Sequence, residues 1–300
     1  DDLSTGRFAN VQPLLDRPEG DCRLLRAKAG DALADPAFLR GVDEVYHLAA
    51  AVGVQLVVDD PAGMIRTNIG DTLAVLEACA AAGTDGPAVL ITSSSEVYGK
   101  CPTLPLREDM ELVYGPTSAS RWAYGMTKAL DEHLAIDYAR RRSLKAVVVR
   151  LFNTIGPRQV GRYGMVVPRF VARAVADQPL EIYGDGAQTR AFCDARDVAR
   201  AMTDLLAQPA AYGRVFNVGS ERQVTIAALA DRIIELADSA SRKRVVPYEA
   251  VYGEGFEDPP HRLPDTSRLR AAVGWSPRVS LDETLTELIA LQRAAASQPQ

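Results

Sequence analysis

Three nearly continuous apolar runs limit what this chain can fold into. They are residues 43–50 (Asp-Glu-Val-Tyr-His-Leu-Ala-Ala), 87–93 (Pro-Ala-Val-Leu-Ile-Thr-Ser) and 145–152 (Lys-Ala-Val-Val-Val-Arg-Leu-Phe). A strand with one face in water alternates apolar and polar residues, whereas a strand covered on both faces does not. Runs of this kind predict a parallel sheet with helices on both sides. The segments between them suit such helices. Residues 69–82 are rich in Ala and Leu and stop at Gly83, a natural helix end. Residues 119–142 carry Ala123, Thr127, Leu130, Leu134 and Tyr138 at spacings of three and four, which predicts one buried stripe. Strand and helix in alternation predict an α/β fold, a Rossmann-like doubly wound sheet.

From about residue 156 the texture changes. Gly156-Pro157-Arg158 and Gly161-Arg162-Tyr163-Gly164 interrupt regular structure, and Tyr183-Gly184-Asp185-Gly186 is a turn signal. Helices are predicted over 166–177, over 196–208, from Thr225 to about Ala237, and from Leu281 to about Ala294. The last opens on a capping box, Ser280 with Glu283. A strand is predicted over 214–219, an ordered loop over 252–266 and a frayed tail at the end. The expected division is a Rossmann domain over 1–157, rejoined by 192–222, and a smaller substrate-binding lobe from 158–191 and 223–300.

Composition narrows the function classes. The chain of 300 residues has net charge −5 with both signs interspersed, which argues against a nucleic-acid surface. No apolar run reaches the roughly 18 residues of a membrane span. The start, Asp1-Asp2-Leu3-Ser4-Thr5-Gly6, does not read as a signal or transit peptide. Four cysteines and three histidines are scattered, so no metal centre or disulfide framework is expected, and a cytoplasmic location with reduced thiols is.

Tyr124 and Lys128 are four apart in a predicted helix and so share a face. A free phenol titrates near ~10 and is a poor base at neutral pH. An ammonium one turn away would lower that value and make the pair a general base. About thirty residues upstream, Thr92-Ser93-Ser94-Ser95-Glu96-Val97-Tyr98-Gly99 follows a buried strand, at the carboxyl end where open α/β sheets bind ligands. A surface Tyr/Lys pair and a helix-capping serine run are the bland alternatives.

Ser94, Tyr124 and Lys128 resemble the Ser/Thr–Tyr–Lys triad of extended short-chain dehydrogenase/reductases, and the chain is similar to their nucleotide-sugar epimerase/dehydratase branch. Matching segments run nearly end to end. They include Gly30-Asp31, His47-Leu48-Ala49-Ala50, Thr67-Asn68-Ile69-Gly70, Arg150-Leu151-Phe152-Asn153, Thr189-Arg190, Phe216-Asn217-Val218-Gly219 and Arg262-Leu263-Pro264-Asp265. The resemblance implies NAD as cofactor and a nucleoside-diphosphate sugar, UDP-linked, oxidised transiently at C4. Tyr124 would take the hydroxyl proton, Ser94 would bond the same oxygen, and Lys128 would hold the nicotinamide ribose. Asp1, Asp2, Asp31, Leu48, Ala49, Ala50 and Asn68 would serve the cofactor. Glu96 would join the catalytic set, and Ser94, Ser95, Glu96, Asn153, Val167, Tyr183, Arg190 and Arg262 would serve the substrate, with arginine suited to diphosphate oxygens. A homodimer through the helices after Asn68 and around Tyr124 is also implied.

The family pattern opens on Gly-x-x-Gly-x-x-Gly, whose amides approach the pyrophosphate. These 300 residues contain no such motif, and Asp1 or Asp2 corresponds to the acidic residue that binds the adenosine ribose. The expectation is that about thirty residues precede this sequence, the size of a missing β-α unit. A protein that truly lacks the unit and binds NAD poorly, or a non-catalytic nucleotide-sugar-binding protein, are the alternatives. An oxidoreductase that releases NADH is another. For the reaction, Ser95-Glu96 with Arg262 resembles UDP-glucuronate decarboxylases, while Met165-Val166-Val167-Pro168-Arg169-Phe170 resembles epimerases. The resemblance puts 4-epimerase slightly ahead of decarboxylase, with dehydratase third.

Overall fold

The computed structural model describes residues 1–17, 22–35, 37–53, 60–161, 165–252 and 259–297. Its centre is a four-stranded sheet in the order Glu44–His47, Ala88–Ser94, Ala146–Leu151 and Arg214–Val218, every neighbouring pair parallel. The register sets Ser94 beside Leu151 and Leu151 beside Val218, so those three strands end together, while Glu44–His47 stops earlier, opposite Ile91. Val89, Leu90, Ile91, Val147, Val148 and Val149 are all at most 1% exposed. Alternate members of these runs enter different clusters. Leu90, Val147 and Val149 pack with the helix Ala195–Leu206, and Val89, Ile91 and Val148 with the helices Pro61–Ala81 and Ala123–Arg142. Burial on both faces is why the sequence does not alternate, and each such side chain contributes about 1.5–3 kcal/mol.

A third cluster lies away from the sheet. It joins Val167, Phe170, Val171, Leu180, Ile182, Ile226, Leu229, Ile233, Leu285 and Ile289 from the helices Val166–Val175, Ile226–Leu236 and Leu281–Ala296 and the strand Leu180–Tyr183. The expected caps are present. Thr225 accepts from Ala228 N–H at 3.1 Å, and Ser280 and Glu283 form the capping box.

Three expectations are corrected. The helix expected from residue 69 begins at Pro61, because Asp60 accepts from Gly63 N–H at 2.9 Å and Pro61 suits a first turn. The expected stripe on the helix Ala123–Arg142 fails at Leu130, which is 50% exposed. The inward face is instead Thr127, Lys128, Asp131, Glu132 and Ala135. The short helix Ser267–Val273 was not expected, since Pro264 and Gly274 bracket it closely. Within the loop expected over 252–266, residues 253–258 lie outside the described residues, as do 162–164 and 298–300. No helix among the described residues is long and apolar enough to cross a membrane.

Candidate active site

A cavity of about 520 Å³ opens at the carboxyl ends of the central strands. That is a size common for small-molecule sites, about 300–1,000 Å³. Its wall joins Leu48 and Ala50, Ser94, Ser95 and Glu96, Tyr124 and Lys128. Asn153, Val167, Tyr183, Arg190 and Arg262 complete it from the other side. Residues far apart in sequence meet there because parallel strands deliver their following loops to one edge.

The serine loop is set by a buried network. Ser93 donates to Glu132 Oε1 at 2.5 Å, and Arg150 binds the same carboxylate through Nε at 2.9 Å and Nη2 at 2.7 Å. The Arg150 guanidinium also lies 4.7 Å from the centre of the Tyr98 ring, and Tyr98 donates to Asn217 Oδ1 at 2.7 Å. Gly125 lets the Tyr124 helix approach this loop, since a Cβ there would come 2.5 Å from the Glu96 carbonyl oxygen. Ser94 accepts from Glu96 N–H at 3.2 Å, and its hydroxyl faces the Tyr124 phenol.

The Tyr124 phenol departs from expectation. Burial pushes it well above its ordinary value; Glu96 and Asp131 push the same way, and Ser94 opposes them. Lys128 does not provide the expected lowering. Its Nζ lies 2.9 Å from Asp131 Oδ2, with both side chains buried, so its charge is already matched.

Glu96 is clasped by two arginines. Arg121 reaches it at 2.5 and 3.2 Å, and Arg262 Nη1 at 2.5 Å. Burial alone would raise the Glu96 carboxyl, but Arg262 and then Arg121 outweigh it and hold it well below the carboxylate range. At an effective dielectric near 20, each close pair is worth about 4 kcal/mol before desolvation, enough to decide that sign. Arg262 Nη2 is buried with no hydrogen-bond partner among the described residues.

On the far wall, Arg190 donates to Thr189 O at 2.8 Å and Tyr183 has the Arg169 guanidinium 3.9 Å from its ring centre. Asn68 is buried beneath the cofactor side. It accepts from Ala51 N–H at 2.7 Å and donates to Ala51 O at 3.2 Å, so it fixes the loop after the first described strand. Asp1, Asp2, Asp31 and Ala49 are not brought into the cavity. Asp1 and Asp2 instead accept from Leu3 N–H and Ser4 N–H, at 2.6 and 2.9 Å. Asp31 sits exposed on the helix Ala29–Ala32. Arg121, Glu132, Arg150 and Asp131 were not singled out from sequence. A buried Glu four residues after Lys128 was the available signal for the network; nothing local marked Arg121. No group of His, Cys, Asp or Glu able to hold a metal occurs among the described residues.

The nicotinamide end of NAD fits what is present. Two small residues, Ala50 and Gly53, line the same cavity as Lys128 and Tyr124. No residue here supplies the glycine turn for its pyrophosphate.

Comparison with known proteins agrees. The family model described as "NAD dependent epimerase/dehydratase family" matches residues 16–219. A UDP-N-acetyl-alpha-D-glucosaminuronate decarboxylase of Bacillus cytotoxicus is 39% identical over 248 residues, 82% of this chain and 75% of that protein. UDP-glucuronic acid decarboxylase 1 of Arabidopsis thaliana is 32% identical over 96% of this chain, which spans 62% of that relative's length. Among solved structures, a UDP-glucuronic acid 4-epimerase of Bacillus cereus, in complex with UDP-glucuronic acid and NAD, has a TM-score of 0.83 at 28% identity. That match covers 96% of this chain and 86% of the other. A UDP-N-acetylglucosamine 4-epimerase of Methanobrevibacter ruminantium has a TM-score of 0.84 at 28% identity, covering 99% and 90%. The chain belongs to the NAD dependent epimerase/dehydratase family, a family of NAD-using enzymes built on the extended short-chain dehydrogenase/reductase fold.

Proposed function

We propose that this protein decarboxylates a nucleoside-diphosphate uronic acid, UDP-linked, after oxidation at C4 of the sugar. The observation that carries the reading is the charge of the cavity wall. Arg262 brings a buried guanidinium to that wall beside Glu96, and its Nη2 has no hydrogen-bond partner among the described residues. Such a donor suits a substrate carboxylate, which meets it with opposite charge, whereas a hexose hydroxyl offers a weaker, uncharged acceptor. The named relatives at 39% and 32% identity are decarboxylases, which supports the same choice.

The residues would act as follows. Tyr124 takes the proton from the 4-hydroxyl, with Ser94 bonding the same oxygen. The chemistry that NAD would supply beside Tyr124 and Lys128 is acceptance of a hydride from C4. The carboxylate on C5 then lies β to a ketone, and its electrons flow into that carbonyl as carbon dioxide leaves; C5 of the resulting enolate takes up a proton, and return of the hydride to C4, with Tyr124 giving its proton back to O4, would close the cycle without net oxidation. Arg262 and Arg121 orient the carboxylate, and Glu96 stays ionised between them as their counter-charge. Asn153 and Arg190 hold the diphosphate side, Val167 packs against the substrate, and Tyr183 stands where a nucleobase would lie. Asn68 keeps the cofactor loop in place.

This ordering reverses the preference for 4-epimerase expected from sequence. Epimerisation remains the second reading, favoured by Val167 and Pro168 in the cavity wall and by the 4-epimerases among the solved relatives. The test is a product mass spectrum after incubation with NAD and a panel of UDP-hexoses and UDP-uronic acids. Loss of carbon dioxide from a uronate is expected. An isomeric product of unchanged mass from uronate or hexose would replace decarboxylation with epimerisation.

A further inference from the structure

The proposed chemistry gives no role to a buried carboxylate beside Lys128. Asp131 stands three residues beyond Lys128 on the helix of Tyr124 and is inaccessible to solvent. Its Oδ2 accepts from Lys128 Nζ at 2.9 Å, and Lys128 is itself 2% exposed. Packing does not explain it. A buried ion pair is on average no more stabilising than apolar side chains of the same volume.

Lys128 and Thr72 bond the Asp131 carboxylate and lower its carboxyl, while burial, with Glu132 beside it, outweighs them and raises it on balance. Thr72 faces Asp131 from the helix Pro61–Ala81. His47, on the strand Glu44–His47, lies 3.1 Å from the same Thr72 hydroxyl, and burial with Lys128 nearby pushes its imidazole down to about 4. Glu132 neighbours Asp131 on its own helix, but Arg150 holds its carboxylate. Around Tyr124, Ser94 faces the phenol, and Glu96 is held by Arg121 and Arg262. Lys128 is thus the cation one turn from Tyr124, and Asp131 matches its charge.

We propose that Asp131 is a positioning residue that anchors and neutralises Lys128, and so sets how readily Tyr124 gives up its proton. The inference rests on the reading of Tyr124 as the base at C4. With Lys128 engaged, Tyr124 stays a neutral phenol at rest. A sequence with a neutral residue at position 131 would leave the full ammonium charge acting on the phenol.

Two measurements test this. The first needs no turnover: the ionisation of Tyr124 is followed by tyrosinate absorbance, as the difference between the protein and its Tyr124→Phe variant, without sugar present. Asp131→Asn is expected to move the onset to lower pH by about one unit. The second is the pH profile of turnover, which moves the same way. A purely structural role would lower activity and leave both curves in place, and that result overturns the proposal. Should Asp131→Asn fail to fold, Lys128→Met and Lys128→Met/Asp131→Leu replace it. The onset is expected to rise in the single variant and return in the double; one onset for both overturns the proposal. Failure of the C4 reading is distinct. It is a wild-type protein inactive on every nucleotide sugar whose Tyr124 titration still responds to Asp131.

Discussion

Glu96 and Arg262 are 166 positions apart in the chain, yet Arg262 Nη1 lies 2.5 Å from Glu96 Oε1. Arg121 closes on the other oxygen at 2.5 Å. A carboxylate in this clasp is fixed as an anion and is poorly suited to shuttle protons near neutral pH. Its substitution and that of Arg262 should therefore act oppositely on binding. Glu96→Gln removes the anion that competes for the arginines, so the KM for a UDP-uronate should fall or hold while its turnover drops. Arg262→Met should raise that KM by at least ~10-fold, the worth of one charged hydrogen bond, and affect UDP-hexoses less. Equal effects of Arg262→Met on both sugar classes would remove the carboxylate-binding role.

Tyr124→Phe keeps the ring and deletes the group that takes the proton. Turnover should fall by at least ~100-fold, the usual worth of general-base help. Burial first, then Glu96 and Asp131, hold the wild-type phenol above its ordinary value. The phenolate fraction therefore grows as pH rises, and turnover should climb from neutral into alkaline solution. A profile flat across that range, measured by product formation at saturating substrate, would contradict the assignment.

Arg150 and Glu132 form a buried pair, each side chain 6% exposed, that also anchors Ser93. Arg150→Met strands a buried carboxylate and should cost about 3–5 kcal/mol. Arg150→Met/Glu132→Leu removes both charges and should be much nearer to wild type. Urea denaturation of the two variants reads the difference; equal losses would mean that the pair is not coupled.

Asp197 ties down the approach to the last helix. It accepts from the N–H groups of Arg278 and Val279, each at 2.8 Å, and from Arg200 at 2.7 Å. Burial raises its carboxyl, but these donors outweigh burial and lower it on balance. The sign follows from linkage. The stabilisation is fully present above the unfolded value, near ~3.9, and is lost as pH falls through the folded one. Asp197→Asn should thus cost about 2–4 kcal/mol at pH 7. The gap to wild type should narrow below about pH 4, as followed by thermal melts at both pH values.

The sheet was legible because burial on both faces writes itself into consecutive residues. Ala88–Ser94 and Ala146–Leu151 lie within one residue of the expected runs. Gly83, Thr225 and the Ser280–Glu283 box were legible for a similar reason, since backbone geometry at a helix end demands particular residues locally. The start of the helix Pro61–Ala81 was missed: the expected helix opened at residue 69, yet Pro61 and Gly63 are ordinary residues in a first turn. Leu130 misled because periodicity marks one face of a helix without saying what lies opposite.

Apart from what resemblance implied for Glu96 and Arg262, the amino-acid order alone pointed to the fold class and to Tyr124, Lys128 and the serine run of Ser93, Ser94 and Ser95 as candidate groups. Those are properties of short segments, where hydrophobic pattern and residue spacing act over a few bonds. Only the tertiary structure decided how the charges pair. It joined Lys128 to Asp131, left the Tyr124 phenol a weaker acid than usual, and set Glu96 between Arg121 and Arg262. Electrostatic interaction depends on separation in space and on the water excluded around it, and folding sets both by bringing distant segments together.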